Sequence, residues 1–447
     1  MRLLGALFFG SLFFFAWFVC ICLVGLDRIF KFNFAFPRDG QQLLERQGWL
    51  LAQLIKAEAI PEGAVLTSVE ASGFKEEEVF RSQTVLVELT YEHEGTNHSF
   101  RCLAKFAPNA GSLSNRALFL LQACHIHEVD FYNVLEPGKS LSVPLVYFGQ
   151  YSAPTGHLCV LMEYYDKHIE YSEEEGCPPE RVPLALEGLA SLHAAFWGRK
   201  EKDPAWLVPF PKSFIEFFGA IVYYLAHEKG LRHYALQAWH QTNQPQTVIH
   251  GDSRVGNMLF PAEGEEGDVI LFDWQGTRIG LGVFDVAYLL VLSLPADLRV
   301  AEEEEWVRQY HSMLCDKGVT GYSWETCLDD YRHCCLMVMI LLGLPWLSGE
   351  VSADERQQAR LLSGGVTWAQ RLYQMVKHFD DTWLQKHYNF DLETFVRDAQ
   401  FNLRNPSFLH SGSQQISRYI RDNGGFELLE TEEGLQQILA TIPRNNG

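Results

Sequence analysis

Two short stretches of this chain have residue types and spacings that suit chemistry. They are His250-Gly-Asp-Ser-Arg-Val-Gly-Asn257 and Leu271-Phe-Asp-Trp-Gln275. Asp252 and Asn257 stand five positions apart, so one loop presents a carboxylate and an amide oxygen. A carboxylate so placed accepts the proton of an attacking hydroxyl, and the amide oxygen holds magnesium. Asp273 follows the apolar run Val269-Ile-Leu-Phe272, which reads as a buried strand. A carboxylate at such a strand end suits a second magnesium contact. Three oxygen-bearing side chains converging on one point serve phosphoryl transfer. That reaction asks the protein for metal, positioning and charge neutralisation more than for covalent chemistry.

These residues resemble the aminoglycoside phosphotransferase and choline kinase superfamily, and within it the ecdysteroid-kinase-like branch. The shared pattern is HGD-x-x-x-x-N, then D-x-[QE], then a later Asp before an apolar helix. Here the later Asp is Asp285, in Gly280-Leu-Gly-Val-Phe-Asp-Val-Ala-Tyr-Leu-Leu290, and Gln275 favours the ecdysteroid-kinase-like branch. Leu184–Trp197 resembles the helix ahead of the family's catalytic loop, and the likeness spans roughly residues 60–400. It implies an α+β, two-lobed protein-kinase-like fold, with an antiparallel sheet and helix in the N-lobe and a mostly helical C-lobe. It also implies ATP and Mg2+ as cofactors and a small-molecule alcohol as acceptor. Steroid alcohols, amino alcohols and sugars all remain open as that acceptor. Asp252 would be the catalytic base, with Asn257 and Asp273 as metal ligands. His250 and Asp285 would brace the loop. Arg254 would either hold the loop or reach a phosphate, and His193 would be core.

The region before this loop supplies the remaining candidates. Arg101-Cys-Leu-Ala-Lys-Phe-Ala-Pro108 alternates like a strand and carries Lys105. A helical stretch from about Asn115 to Leu135 carries Glu128 in His127-Glu-Val-Asp-Phe-Tyr132. A strand Lys paired with a helix Glu aims the ammonium at the nucleotide α- and β-phosphates. The family's Glu before a Phe-Tyr pair assigns that role to Glu128, with Asp130 and Glu136 as alternatives if the helix register shifts. Leu158–Tyr165 resembles the hinge strand, whose backbone at Glu163 and Tyr165 would hydrogen-bond adenine. One feature departs from the pattern, because no Gly-rich loop precedes Lys105. Gly73 is followed by the acids Glu76, Glu77 and Glu78, poor company for a triphosphate, and Arg81 and Ser82 would have to compensate. This keeps a second reading open, a membrane-tethered pseudokinase acting as a binding or scaffold module.

Composition narrows the setting. A net charge of −20 argues against a nucleic-acid partner, whose phosphates would be repelled. The ten cysteines show no C-x-x-C spacing and read as reduced thiols. His125 and His127 lack the acid or thiol partners of a metal site. Leu3 to Leu26 contains no charged residue. At about 1.5 Å per residue that helix crosses a bilayer core, so an uncleaved signal anchor is expected. Arg28, Lys31 and Arg38 after the span lean the catalytic part toward the cytosol. A cleaved span with a glycan on Asn97 would instead give a lumenal protein.

The organisation that follows is a transmembrane anchor at 1–30, a juxtamembrane helix or linker at 31–60 and an N-lobe at 61–165. A C-lobe at 166–405 and a tail at 406–447 complete it. An amphipathic helix is expected from about Asp39 to Ala57. Thr84–Tyr91 and Phe100–Phe106 should form a hairpin around Glu94–Asn97, joined by strands near Leu145–Phe148 and Leu158–Met162 into a mostly antiparallel sheet. From about Pro179 the pattern is helical. The apolar, aromatic Ser213–Leu225 is expected in the core or at a substrate cleft, and Cys334–Leu342 as a core helix.

Overall fold

A computed structural model describes residues 18–19, 21–23, 25–26, 35–72, 83–107, 124–134, 141–152, 155–172, 174–198, 246–338, 355–388, 391–404 and 411–442. The chain divides into two compact units. The first holds residues 1–139, 143–168 and 273–276, and the second holds 140–142, 169–272 and 277–447. The expected anchor at 1–30 lies mostly outside the described residues, and 213–225, 339–342 and the acidic 76–78 lie wholly outside them. Among the described residues, no helix is long and apolar enough to cross a membrane.

The first unit is built on a five-stranded antiparallel sheet. Its strands are β1 (Val65–Ser72), β2 (Gln83–His93), β3 (Thr96–Phe106), β4 (Val146–Ser152) and β5 (His157–Glu163), in the order β1-β2-β3-β5-β4. The β2–β3 hairpin closes with His93 opposite Thr96. Glu94 and Gly95 make the turn at φ +49° and +77°, and two consecutive left-handed residues match the right-handed twist of the strands they join. Alternation then sorts the side chains. Val85, Val87 and Leu89 of β2 and Cys102, Ala104 and Phe106 of β3 share one core with Cys159 and Leu161. Lys105, between Ala104 and Phe106, therefore points to the opposite face. There the helix α3 (Cys124–Val134) lies in sequence between β3 and β4.

The expected single helix from Asp39 is two, α1 (Gly40–Glu45) and α2 (Gln47–Lys56), numbered before α3 along the chain. Arg46 leaves helical geometry between them at φ −111° and ψ 44°. Asp39 caps the first by accepting the Gln42 amide at 2.8 Å. Leu43, Leu50 and Leu54 are fully buried in the sheet core. Strand β1, which no alternation announces, is an edge strand with no fully buried position.

The second unit is mostly helical. Its short strands are β6 (Ile169–Glu170), β7 (Thr247–Ile249), β8 (Met258–Phe260), β9 (Ile270–Leu271) and β10 (Arg278–Gly280), paired as β10-β7 and β6-β8-β9. The helices are α4 (Val182–Ala195), α5 (Gly282–Ser293), α6 (Ala296–Asp316), α7 (Trp324–Val338), α8 (Glu355–Lys377) and α9 (Asp381–Tyr388). Leu392–Arg404, Ser411–Asp422 and Glu432–Ala440 form α10 to α12. All twelve residues of α5 are buried, which makes it the central helix of the unit. The loop from Gly251 to Asn257 connects β7 to β8. The β8–β9 pairing sets Met258 opposite Leu271 and fixes where the chain leaves β9 toward Asp273.

Candidate active site

The loop after β7 is held by one buried carboxylate. Asp285, in the first turn of α5, is fully buried. Its Oδ2 accepts the His250 amide at 2.6 Å and its Oδ1 the Gly251 amide at 2.9 Å. His193 Nε2 lies 3.1 Å from the same Oδ2, and His193 Nδ1 is 2.8 Å from the Tyr310 hydroxyl. Burial works against the Asp285 charge, but the hydrogen bond and charge of His193, with His250 and the Gly251 amide, hold its carboxyl below its ordinary value. Gly251 sits at φ +79°, a conformation that glycine adopts without strain. Gly282 is needed for a different reason. A Cβ there would come within 2.7 Å of the Tyr310 hydroxyl and 2.9 Å of His193 Cγ. Asp285 and His250 thus brace the loop, and His193 is core but belongs to that brace.

On this frame Asp252 is gripped from several directions. Asn257 Nδ2 donates to the Asp252 carbonyl at 2.7 Å and to its Oδ2 at 2.9 Å. The Tyr288 hydroxyl donates to Asp252 Oδ1 at 2.8 Å, and Arg254 Nε lies 3.4 Å from that oxygen. Arg254 therefore reaches the loop's own carboxylate. Burial and the Asp252 charge raise the Tyr288 hydroxyl well above its ordinary value, so it remains a proton donor. His250 has its tautomer set by both neighbours. Its Nδ1 accepts the Asp252 amide at 3.3 Å, which leaves Nε2–H to donate to the Phe272 carbonyl at 2.9 Å. The Phe272 amide donates to the Asn257 carbonyl at 3.1 Å. The loop is thereby tied to the residue just before Asp273.

In the first unit, Lys105 stands between two carboxylates. Its Nζ donates to Glu128 Oε1 at 2.7 Å and to Asp273 Oδ1 at 2.8 Å. The side chains of Lys105 and Glu128 are 8% and 0% exposed, whereas that of Asp273 is 29% exposed. Burial pulls Lys105 down, but Asp273 and then Glu128 outweigh it and hold the ammonium above its usual range. Burial also pushes the Glu128 carboxyl up, against the attraction of Lys105. One cation is shared by two carboxylates, of which Asp273 is the more exposed. Asp273 adopts φ +65°, outside the common range for residues other than glycine. Its neighbour Trp274 is fully buried and stacks on Phe131 of α3, with centroids 3.9 Å apart and planes at 18°. That stack fixes Asp273 relative to the helix that carries Glu128. Asp130, the alternative to Glu128, instead accepts the Tyr151 hydroxyl at 3.4 Å.

The expected hinge is the end of β5. The Glu163 amide donates to the Leu145 carbonyl at 2.9 Å, and the Leu145 amide donates to the Tyr165 hydroxyl at 3.4 Å. Residues 73–82, where phosphate-facing backbone is expected, lie outside the described residues. The sequence did not announce Tyr288, although its position three residues after Asp285 puts both on one face of α5. Nor did it announce Tyr132, whose buried phenol is raised by burial and then by the charges of Glu128 and Asp273.

Comparison with known proteins places this site in a family context. Residues 225–318, which contain the loop, Asp273 and α5, match the ecdysteroid kinase-like family. The match covers the HGD-x-x-x-x-N loop, Asp273 and Asp285, but not the Leu184–Trp197 helix or the region of Lys105 and Glu128. No curated protein matches the chain. Among solved structures, a choline/ethanolamine kinase family protein from Mesorhizobium loti is 13% identical, covering 88% of this chain and 98% of its own at a TM-score of 0.35. The GDP complex of aminoglycoside 2′-phosphotransferase-IIIa is 14% identical, covering 80% and 99% at a TM-score of 0.41. A microcompartment-associated aminopropanol kinase is also 14% identical, covering 74% and 98% at 0.34.

Proposed function

We propose that this protein is an ATP- and magnesium-dependent phosphotransferase that moves the γ-phosphoryl group to a hydroxyl of a small molecule. The observation that carries this reading is the state of Asp252. Tyr288, Asn257 and Arg254 surround its carboxylate, and Asp285 fixes the backbone ahead of it. A carboxylate held this way keeps its aim, which is what a base accepting a hydroxyl proton needs. The family match over residues 225–318 supports the same chemistry. In this reading residues 61–165 and 166–405 are the two lobes of a kinase-like fold.

The donor chemistry suits magnesium. Both hydrogen bonds from Asn257 use its Nδ2, so its Oδ1 is the amide oxygen for the metal, and Asp273 adds a carboxylate. Hard oxygen donors of this kind suit Mg2+, which neutralises phosphate charge when bound. Lys105 contacts the α- and β-phosphates, with Glu128 holding its ammonium in place. The Glu163 carbonyl and Tyr165 amide are the adenine partners, since the Glu163 amide is engaged by Leu145. Asp252 accepts the proton of the acceptor hydroxyl as the phosphoryl group transfers to that oxygen.

The uncharged Leu3–Leu26 segment serves as a membrane anchor with the catalytic part on the cytosolic side, and this favours a lipophilic alcohol as acceptor, with amino alcohols the alternative. The test is ATP consumption by the full chain against a panel of sterols, amino alcohols and sugars, beside a thermal-shift titration with ATP, with and without Mg2+. Magnesium-dependent stabilisation by ATP and turnover with at least one alcohol are expected. No nucleotide response under either condition would contradict the proposal and favour the pseudokinase reading.

A further inference from the structure

Helices α7 and α9 bring together three side chains that the proposed reaction does not use. Asp329 and His333 are one turn apart on α7, and His387 comes from α9. One ligating atom from each lies within 4.8 Å of the others. His333 Nε2 is 3.6 Å from Asp329 Oδ2, and His387 Nε2 is 3.6 Å from Asp329 Oδ1. These separations are too long for good hydrogen bonds. They are close to the edge of a zinc tetrahedron, about 3.3–3.5 Å for metal–ligand bonds of about 2.0–2.2 Å.

The surroundings orient the ligands. His333 Nδ1 is 2.6 Å from the Tyr388 hydroxyl. With Nδ1–H donating to that oxygen, the Nε2 lone pair faces Asp329. Trp383 Nε1–H donates to Asp329 Oδ1 at 2.6 Å and fixes the carboxylate. The Trp383 ring stacks on His387 at 4.6 Å and 24°, which sets the imidazole plane. Ligands oriented by a second ring of hydrogen bonds are the usual construction of a metal site. The Asp329 side chain is 41% exposed while His333 is 4% exposed, so an ion has a way in from the Asp329 side.

We propose that Asp329, His333 and His387 bind a divalent zinc-class cation, with water in the fourth position. The set is two imidazoles and one carboxylate, which suits Zn2+ and disfavours the all-oxygen preference of Mg2+. Bound there, the ion clips α9 to α7. The inference does not rest on the phosphotransferase reading, since none of its residues takes part in that reaction.

The test uses the full chain and Co2+, whose visible spectrum reports coordination geometry. The wild-type protein should show an intense tetrahedral band that saturates at one equivalent and is displaced by Zn2+. His387→Gln and His333→Gln should lose it while keeping their far-UV circular dichroism and metal-free melting temperature. Tyr388→Phe leaves all three ligands and should weaken Co2+ binding about 10–100-fold, the usual effect of removing a second-ring partner. Should the histidine variants fail to fold, Tyr388→Phe still decides the matter. A wild-type protein without the band, or affinity unchanged in Tyr388→Phe or in the folded histidine variants, overturns the proposal.

Discussion

Replacing Asp285 with Asn should damage the loop before it damages anything else. The carboxylate accepts three bonds, from His250 N and His193 Nε2 on Oδ2 and from Gly251 N on Oδ1. An Asn side chain has one acceptor oxygen. Placed where Oδ2 was, it keeps two partners and turns its NH2 toward the Gly251 amide, leaving two buried donors face to face. An unsatisfied buried donor costs about 1–3 kcal/mol, and losing the charge weakens the two surviving bonds by about 1 kcal/mol each. With two such donors the sum is about 4–8 kcal/mol, which corresponds to a fall in melting temperature of roughly 8–30 °C. The effect has a definite pH dependence. The folded-state pKa of Asp285 is depressed, so its stabilisation is fully present above the ordinary value of about 4 and is lost as pH falls through the folded value. The gap between wild type and Asp285→Asn should therefore be flat from pH 5 to 7 and close below about pH 4. Urea midpoints of the two proteins across pH 3–7 measure it. Equal stability at pH 7, or a gap that widens on acidification, would refute the bracing argument.

Other outcomes follow from the same contacts. Tyr288→Phe removes one donor to Asp252 and should lower kcat about tenfold or more, with magnesium-dependent ATP binding unchanged. Loss of nucleotide binding in that variant would place Tyr288 elsewhere in the mechanism. Lys105→Met and Glu128→Gln should show a double-mutant coupling in kcat/KM, smaller than for an isolated buried pair because Asp273 also holds the ammonium. Strictly additive losses would mean that the two side chains do not act together. Asp273→Ala should weaken ATP binding in Mg2+ but not in its absence, read by calorimetry under both conditions. The intact chain should resist carbonate extraction from membranes and a chain lacking residues 1–30 should not, as fractionation would show.

How much of this was legible in the sequence depended on how local each signal was. The β2–β3 hairpin was readable because alternation and a Glu-Gly turn lie within a few residues of each other. Asp285 was readable as a brace because it follows the loop at a family spacing, and its bonds are to that loop's own backbone. The break at Arg46 was not, since Arg is an ordinary helix former and an amphipathic pattern runs straight through. Edge strand β1 was missed because it is half exposed throughout and lacks a clean period. Tyr288 and Tyr132 depend on which face of a helix they occupy and on a partner far along the chain. The Asp329, His333 and His387 cluster was invisible for the same reason, because its third member sits on a helix that only tertiary packing brings near.

The central claim is that Asp252 accepts the proton of an acceptor hydroxyl, and Asp252→Asn tests it most directly. The substitution keeps the shape and removes the base, so magnesium-dependent ATP binding should survive. Single-turnover transfer to the best alcohol from the panel should fall about 10²–10⁴-fold. Wild-type transfer rates in Asp252→Asn, with ATP bound as tightly as before, would contradict the account.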